Sequence, residues 1–361
     1  MTIKLLFPFS GDSYGGSHIS TLAVIDRLDQ AKFNAQIVLH EKNKDIIPFF
    51  EKYAPEYMGY YPRDLGQLIN KPASYIYAVY KAYKYVKTHK IDIVHCDDGP
   101  LRHIWFYAAK LARLKYVHSQ QTIPRVDLEK KFIYRFYDSC VACSETVFAE
   151  MPCKNKCHVA YPIIVSNNND MEFKNVDIFI KKICYVANMR HQKRPMIFLK
   201  TAENLLRKYP YLTFKMIGSL YDEESRQIRC YIKENSLEEN VVLNEFSSDV
   251  MSEIKDADVI MVPAVGDAFG RTLVESMGVG TIVVAAKSGG HENIIQNSVN
   301  GFLIPPDDID AFSGCIEDLI KHPERANQVR LRAYNTAFTR YNPKNTVDLY
   351  ETVYTKLHGT S

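Results

Sequence analysis

Short apolar runs recur along the chain, each closed by Gly, Pro, Asn, Asp or Ser and followed by a stretch with apolar positions three and four apart. The runs predict strands over 3–9, 35–40, 91–95, 115–118, 139–143 and 157–160. A polar break, Ser166-Asn-Asn-Asn-Asp170, comes next and has the composition of an inter-domain link. The rhythm then restarts over 182–187, 212–217, 240–243, 257–262, 281–285 and 302–304. Regular alternation of strand and helix predicts parallel sheets. The chain therefore reads as an α/β protein of two doubly wound, Rossmann-like halves, 1–165 and 166–343.

Composition agrees with two domains. A chain of 361 residues with 46% apolar content can fill two cores, and 24% charged residues is ordinary. The net charge of +3 is unevenly placed: 22 Lys and Arg face 16 Asp and Glu over 1–160, about +6, which leaves about −3 for the rest. A basic first half suits an acidic acceptor or a membrane surface. No basic arm interleaved with aromatics points to nucleic acid. Lys4-Leu-Leu-Phe-Pro-Phe9, ended by Ser10-Gly-Asp, reads as a first strand and not as a signal peptide, and no run approaches a membrane span. The expected location is the cytoplasm. Among eight cysteines, Cys140-x-x-Cys143 and Cys153-x-x-x-Cys157 have zinc-like spacing. The first pair lies on a predicted strand, where positions three apart point to opposite faces, so buried free thiols are the expectation.

One stretch carries chemistry. Asp258-Val-Ile-Met-Val-Pro263 reads as a buried strand, and Arg271 to Val279 has helical spacing. Between them Asp267-Ala-Phe-Gly270 forms a tight loop opening a helix, with Glu275 eight positions after Asp267. A helix start presents unpaired N–H groups and a positive dipole end, and Gly270 allows a phosphate to approach. Glu275, about a turn further, is placed to reach an attached sugar.

These residues resemble the carboxylate pair of retaining glycosyltransferases of family 4, glycosyl transferases group 1, whose usual form is Glu-Gly-Phe-Gly-x-x-x-x-Glu. Asp267 and Ala268 are departures from it. Ser288-Gly-Gly-His-Glu292 resembles the family's Gly-Gly-x-x-Glu loop, and Asn300-Gly-Phe-Leu-Ile-Pro305 its Asn-Gly-Phe-Leu run. The resemblance implies the GT-B architecture: two Rossmann-like domains facing across a cleft, with a last helix, about 344–361, crossing back to the first domain. It implies a nucleotide-diphosphate sugar as donor and no essential metal or other cofactor.

The same resemblance assigns expected roles. Asp267 would orient the donor sugar, and Ala268, Phe269, Gly270, Arg271 and Glu275 would contact the donor. In Cys184-Tyr-Val-Ala-Asn-Met-Arg-His-Gln-Lys193-Arg-Pro195 the family's Gly-Arg-Leu-x-x-x-Lys-Gly places Asn188 where an Arg is usual and Lys193 at the Lys. Arg190 or Arg194 is expected to supply the missing cation. Gly15 and Gly16 match the family's Gly-Gly loop, and His18 is a candidate on the acceptor side. His118, in Tyr116-Val-His-Ser119, is expected at the carboxyl end of a strand beside the sugar, with His95 on the cleft wall.

The segment 70–90 interleaves Tyr75, Tyr77, Tyr80, Tyr83 and Tyr85 with Lys71, Lys81, Lys84, Lys87 and Lys90. On a helix this makes a surface for packing, for an acceptor or for a bilayer. The expected function is transfer of a sugar to a hydroxyl of a glycan or lipid-linked acceptor, in polysaccharide or glycoconjugate synthesis, peripheral to the inner face of the membrane. A sugar-nucleotide epimerase of the same architecture and a non-catalytic, glycosyltransferase-like partner protein are the alternatives.

Overall fold

Strand β1 (Ile3–Phe9) is apolar at nearly every position because helices cover both of its faces, as in other parallel sheets. Leu5 and Leu6 are fully buried. The computed structural model describes residues 2–10, 15–41, 43–44, 46–59, 71–97, 99, 101–124, 132–164, 173, 179–219, 222–245, 247 and 249–359. The polar run Ser166–Asp170 lies outside them. The chain forms two compact units, Met1–Val165 with Pro343–Ser361, and Ser166–Asn342.

In the first unit the strands that follow are β2 (Phe33–Leu39), β3 (Glu56–Tyr57), β4 (Ile93–Asp97), β5 (Lys115–Gln120), β6 (Ser139–Ala142) and β7 (Cys157–Val159). They lie in the order β3-β2-β1-β4-β5-β6-β7, all parallel. β3 is an addition to the sequence reading: its two residues are exposed and carry no apolar run. The second unit repeats the plan with β8 (Lys182–Val186), β9 (Thr213–Ile217), β10 (Val241–Asn244), β11 (Val259–Val262), β12 (Ile282–Ala286) and β13 (Phe302–Ile304). Its order is β10-β9-β8-β11-β12-β13, again parallel. Strand order reverses direction beside β1 in one sheet and beside β8 in the other, and such reversals are where doubly wound sheets bind ligands.

The last helix, Pro343–Gly359, belongs to the first unit. Val347, Tyr350, Val353 and Tyr354 are buried in one cluster with Leu5, Phe7 and Phe33. Its tyrosines also fix β4 and β5. His95 shares hydrogen bonds with the Tyr354 hydroxyl at 2.5 Å and Ser119 Oγ at 2.6 Å, and Ser119 Oγ is 3.2 Å from the Tyr350 hydroxyl. His95 is thus a core residue rather than the cleft-wall residue expected, and burial pushes its imidazole down to about 3. Among the described residues no helix is long and apolar enough to cross a membrane.

Candidate active site

The loop after β8 is set by contacts that leave its polar residues outward. Met189 is fully buried, and its N–H donates to Ser219 O at 2.9 Å. Gly218, at φ +144°, lies so close beneath that a Cβ there would fall 2.1 Å from Ala187 O. Asn188 and Arg190, on either side of Met189, are exposed. A 3-10 turn, His191–Lys193, then leads into the helix Pro195–Leu206, whose proline suits a first helical position. Lys193 is held half-buried, while Arg194 is drawn towards Asp307, 3.5 Å away. Arg190 is therefore the exposed arginine of the loop, and Arg194 is engaged elsewhere.

The loop after β11 enters from the other side of the reversal. Gly266 and Gly270 take left-handed backbone at φ +73° and +115°, conformations that favour glycine. The turn ends at the helix Arg271–Gly278, which starts without a side-chain cap. Phe269 is buried, its ring edge-on to Tyr341 at 5.6 Å. It was expected to touch donor; its ring instead anchors the loop from below, and Ala268 is half-buried beside it.

Asp267 sits between the two loops. Lys193 Nζ lies 2.5 Å from Oδ1, bringing together residues 74 positions apart. A second partner of Asp267 comes from outside the predicted set. His291 is fully buried, with Nδ1 2.9 Å from Ala286 O and Nε2 3.4 Å from Asp267 Oδ2. Both ring nitrogens face oxygen acceptors. Burial pushes the Asp267 carboxyl up, but the His291 hydrogen bond and the Lys193 charge outweigh it and bring it down to about 2. Asp267 is ionised throughout the neutral range.

The turn Ser288-Gly289-Gly290 fastens the backbone that carries this carboxylate. Gly290 N donates to Asp267 O at 2.7 Å, and Gly266 N donates to Ser288 Oγ at 3.0 Å. A Cβ on Gly289 would fall 2.5 Å from Asp267 O, and one on Gly290 2.3 Å from Phe269 O. Both clashes are with backbone, which cannot swing aside. Gly290→Ala is expected to cost about 1–3 kcal/mol from overpacking and to displace Asp267. Urea unfolding reads the first effect; an unchanged midpoint would contradict this packing.

Glu275 lies one turn into the helix, with Oε1 3.0 Å from Arg271 Nη2. Both are mostly buried, so the acid expected to grip a ligand is engaged by its own helix neighbour. In the first unit, Gly15 caps the helix Gly16–Ile25, and its N–H donates to His18 Nδ1 at 3.1 Å. Residues 11–14 of that loop lie outside the described set. Gly15 has extended backbone, and a Cβ there would meet nothing within 4 Å. Among the described residues neither packing nor φ requires glycine at that position.

His118 differs from its expected setting. β5 runs on to Gln120, so His118 lies inside the sheet and is fully buried. Its ring packs against Tyr134 and Tyr137, and Nε2 is 3.1 Å from Gln120 Oε1. Burial, then the Arg102 charge, push it down to about 3. It is a neutral core imidazole, not a group at a cleft face.

Residues 170–336 match the family model described as Glycosyl transferases group 1. Over 298 residues the chain is 23% identical to an uncharacterized glycosyltransferase of Methanocaldococcus jannaschii, covering 73% of this chain and 75% of that protein. Further curated relatives are matched over 33% to 46% of their own length. Among solved structures, a glycosyltransferase from Rickettsia africae superposes with a TM-score of 0.86 at 16% identity over 100% of both chains. Anabaena HepE, crystallised with UDP and glucose, does so with 0.79 at 19% identity over 97% of this chain and 99% of that one. The chain therefore carries a Glycosyl transferases group 1 domain in its second unit, and its fold class is GT-B.

Proposed function

We propose that the protein is a retaining glycosyltransferase that moves a hexosyl group from a nucleotide-diphosphate sugar to a hydroxyl of a glycan or lipid-linked acceptor. Its setting would be polysaccharide or glycoconjugate synthesis at the cytoplasmic face of a membrane. The observation that carries this reading is the Lys193–Asp267 pair, 2.5 Å apart where the strand order of the second sheet reverses. It sets one fixed cation and one fixed anion beside a glycine-opened helix start. Likeness to a protein crystallised with UDP-glucose supports a nucleotide sugar as the donor.

Each residue then has a chemical task. Lys193, Arg190 and the N–H groups opening the helix Arg271–Gly278 meet the charge of the departing diphosphate. This is why no essential metal is expected. Asp267 accepts from the sugar hydroxyls, and Glu275 takes the ribose once Arg271 yields. The bond from the anomeric carbon to the phosphate oxygen breaks as the acceptor oxygen bonds to that carbon on the same face. The acceptor's proton passes to the leaving phosphate oxygen, so the protein's main work is positioning. Gly15, where a Cβ would meet none of the described residues within 4 Å, and Gly16 suit close approach of a substrate. His118 keeps β5 and Gln120 in place from within.

A thermal-shift panel of UDP-, GDP- and ADP-sugars identifies the donor, because a ligand of the native state must raise the melting temperature. Release of nucleoside diphosphate in the presence of acceptor, with the donor's anomeric configuration kept in the NMR spectrum of the product, is the expected result. An inverted linkage overturns the retaining mechanism. Epimerisation of the donor sugar without transfer overturns the transferase.

A further inference from the structure

The helix Pro72–Thr88 turns one face inward and leaves the other bare. Ala78, Ala82 and Val86 are buried, and the Tyr85 ring meets Trp105 of the neighbouring helix Arg102–Leu111 edge-on at 6.1 Å. On the outer side Ile76 is 64% exposed, Tyr77 62%, Tyr80 57% and Leu111 65%. Ile76, Val79, Tyr80, Tyr83, Tyr107 and Leu111 line an apolar groove between the two helices. Single exposed apolar residues are ordinary, but a contiguous groove of this kind marks a contact surface.

The two helices that form the groove carry charge of one sign. Residues 71–91 contain five lysines and no acid, and 99–115 contain four Lys or Arg and no acid. Lys110 is neutralised by Asp138 at 2.6 Å, and Lys81 donates to Met58 O at 2.8 Å. Lys71, Lys84, Lys87 and Lys90 remain exposed. Lys87 continues the row Ile76, Tyr80, Tyr83 by helical spacing, so cation and apolar surface share one face. Tyrosine suits such a boundary, with an apolar ring and a polar tip.

We propose that this face docks on an anionic phospholipid bilayer, with the exposed apolar side chains entering the headgroup/acyl boundary and the lysines meeting headgroup phosphates. A second copy of the chain is a poor occupant. A two-fold contact through this groove would bring lysine rim against lysine rim. A bilayer satisfies both features at once, since apolar burial and attraction to anionic lipid add. The inference does not depend on the donor chemistry of the second unit.

The test is sedimentation of the whole protein with vesicles of phosphatidylcholine alone and of phosphatidylcholine mixed with phosphatidylglycerol, at low and high salt. The wild type should pellet with the mixed vesicles, much less with the neutral ones, and should be released by salt. Ile76→Ser/Tyr80→Ser/Leu111→Ser and, separately, Lys84→Glu/Lys87→Glu should each lower partitioning about tenfold or more. Far-UV circular dichroism and nucleotide-induced thermal shift of both variants should match wild type, separating this surface from the donor site. Wild-type protein left in the supernatant with mixed vesicles overturns the proposal. So does equal binding to neutral vesicles, or a dimer in sedimentation equilibrium that the triple serine variant abolishes.

Discussion

Asp267→Asn is expected to lower turnover on the order of a hundredfold, while affinity for the free nucleoside diphosphate stays level or rises. The split follows from the carboxylate's own contacts. It holds Lys193 Nζ at 2.5 Å and faces His291 Nε2 at 3.4 Å, so it neutralises the cation that the proposed diphosphate would need. Asn keeps the shape and removes the charge. Lys193 is then a stronger anion ligand, and the sugar loses the acceptor that orients it. Asp267→Glu should also be impaired, because the added methylene has the fully buried His291 behind it and Lys193 in front. Steady-state kinetics and calorimetric titration with nucleoside diphosphate decide the matter, and near-normal turnover in Asp267→Asn would refute the positioning role.

The same residue has a signature in acid. Its carboxyl is depressed from its ordinary value of about 4 to about 2 in the folded protein. A depressed carboxylate contributes stability that is fully present above its unfolded value, and that contribution is lost as pH falls from about 4 through about 2. The Asn variant has no such carboxylate, so its unfolding midpoint should fall less steeply than wild type across this window.

Much of this was legible in the chain because the signals are local. A parallel strand covered on both faces must be an apolar run, and a βα turn must end in residues that permit a helix start. Twelve such runs overlap observed strands, and β3 escaped because Glu56 and Tyr57 are exposed and pattern nothing. The site was legible where glycine was required. Gly270 and the 289–290 pair are dictated by positive φ or by backbone within 2.6 Å of a missing Cβ. What stayed hidden was pairing across distance. Nothing near Asp267 in the sequence names Lys193 or His291 as its partners. His118 and His95 misled for a related reason: a strand end two residues later, and a C-terminal helix bringing Tyr350 and Tyr354, turn candidate ligands into core residues.

Lys193→Ala should lower kcat/KM at least about tenfold and more than Arg190→Ala does, because it removes charge stabilisation from the leaving group. Arg190 is exposed on its loop, whereas Lys193 is fixed against Asp267 with a quarter of its side chain accessible. The immobile cation costs less to organise at the transition state. The loss should appear in kcat as well as in KM, since a diphosphate gathers charge as the sugar departs. Lys193→Arg should recover only part of the activity, as a planar fork cannot replace a compact ammonium in the same gap. Coupling gives the sharpest test. If Lys193 and Asp267 act as one unit, the double variant Lys193→Ala/Asp267→Asn should be little worse than the poorer single variant. Strictly multiplicative losses would show that the 2.5 Å contact is incidental to catalysis, and that each residue meets the substrate alone.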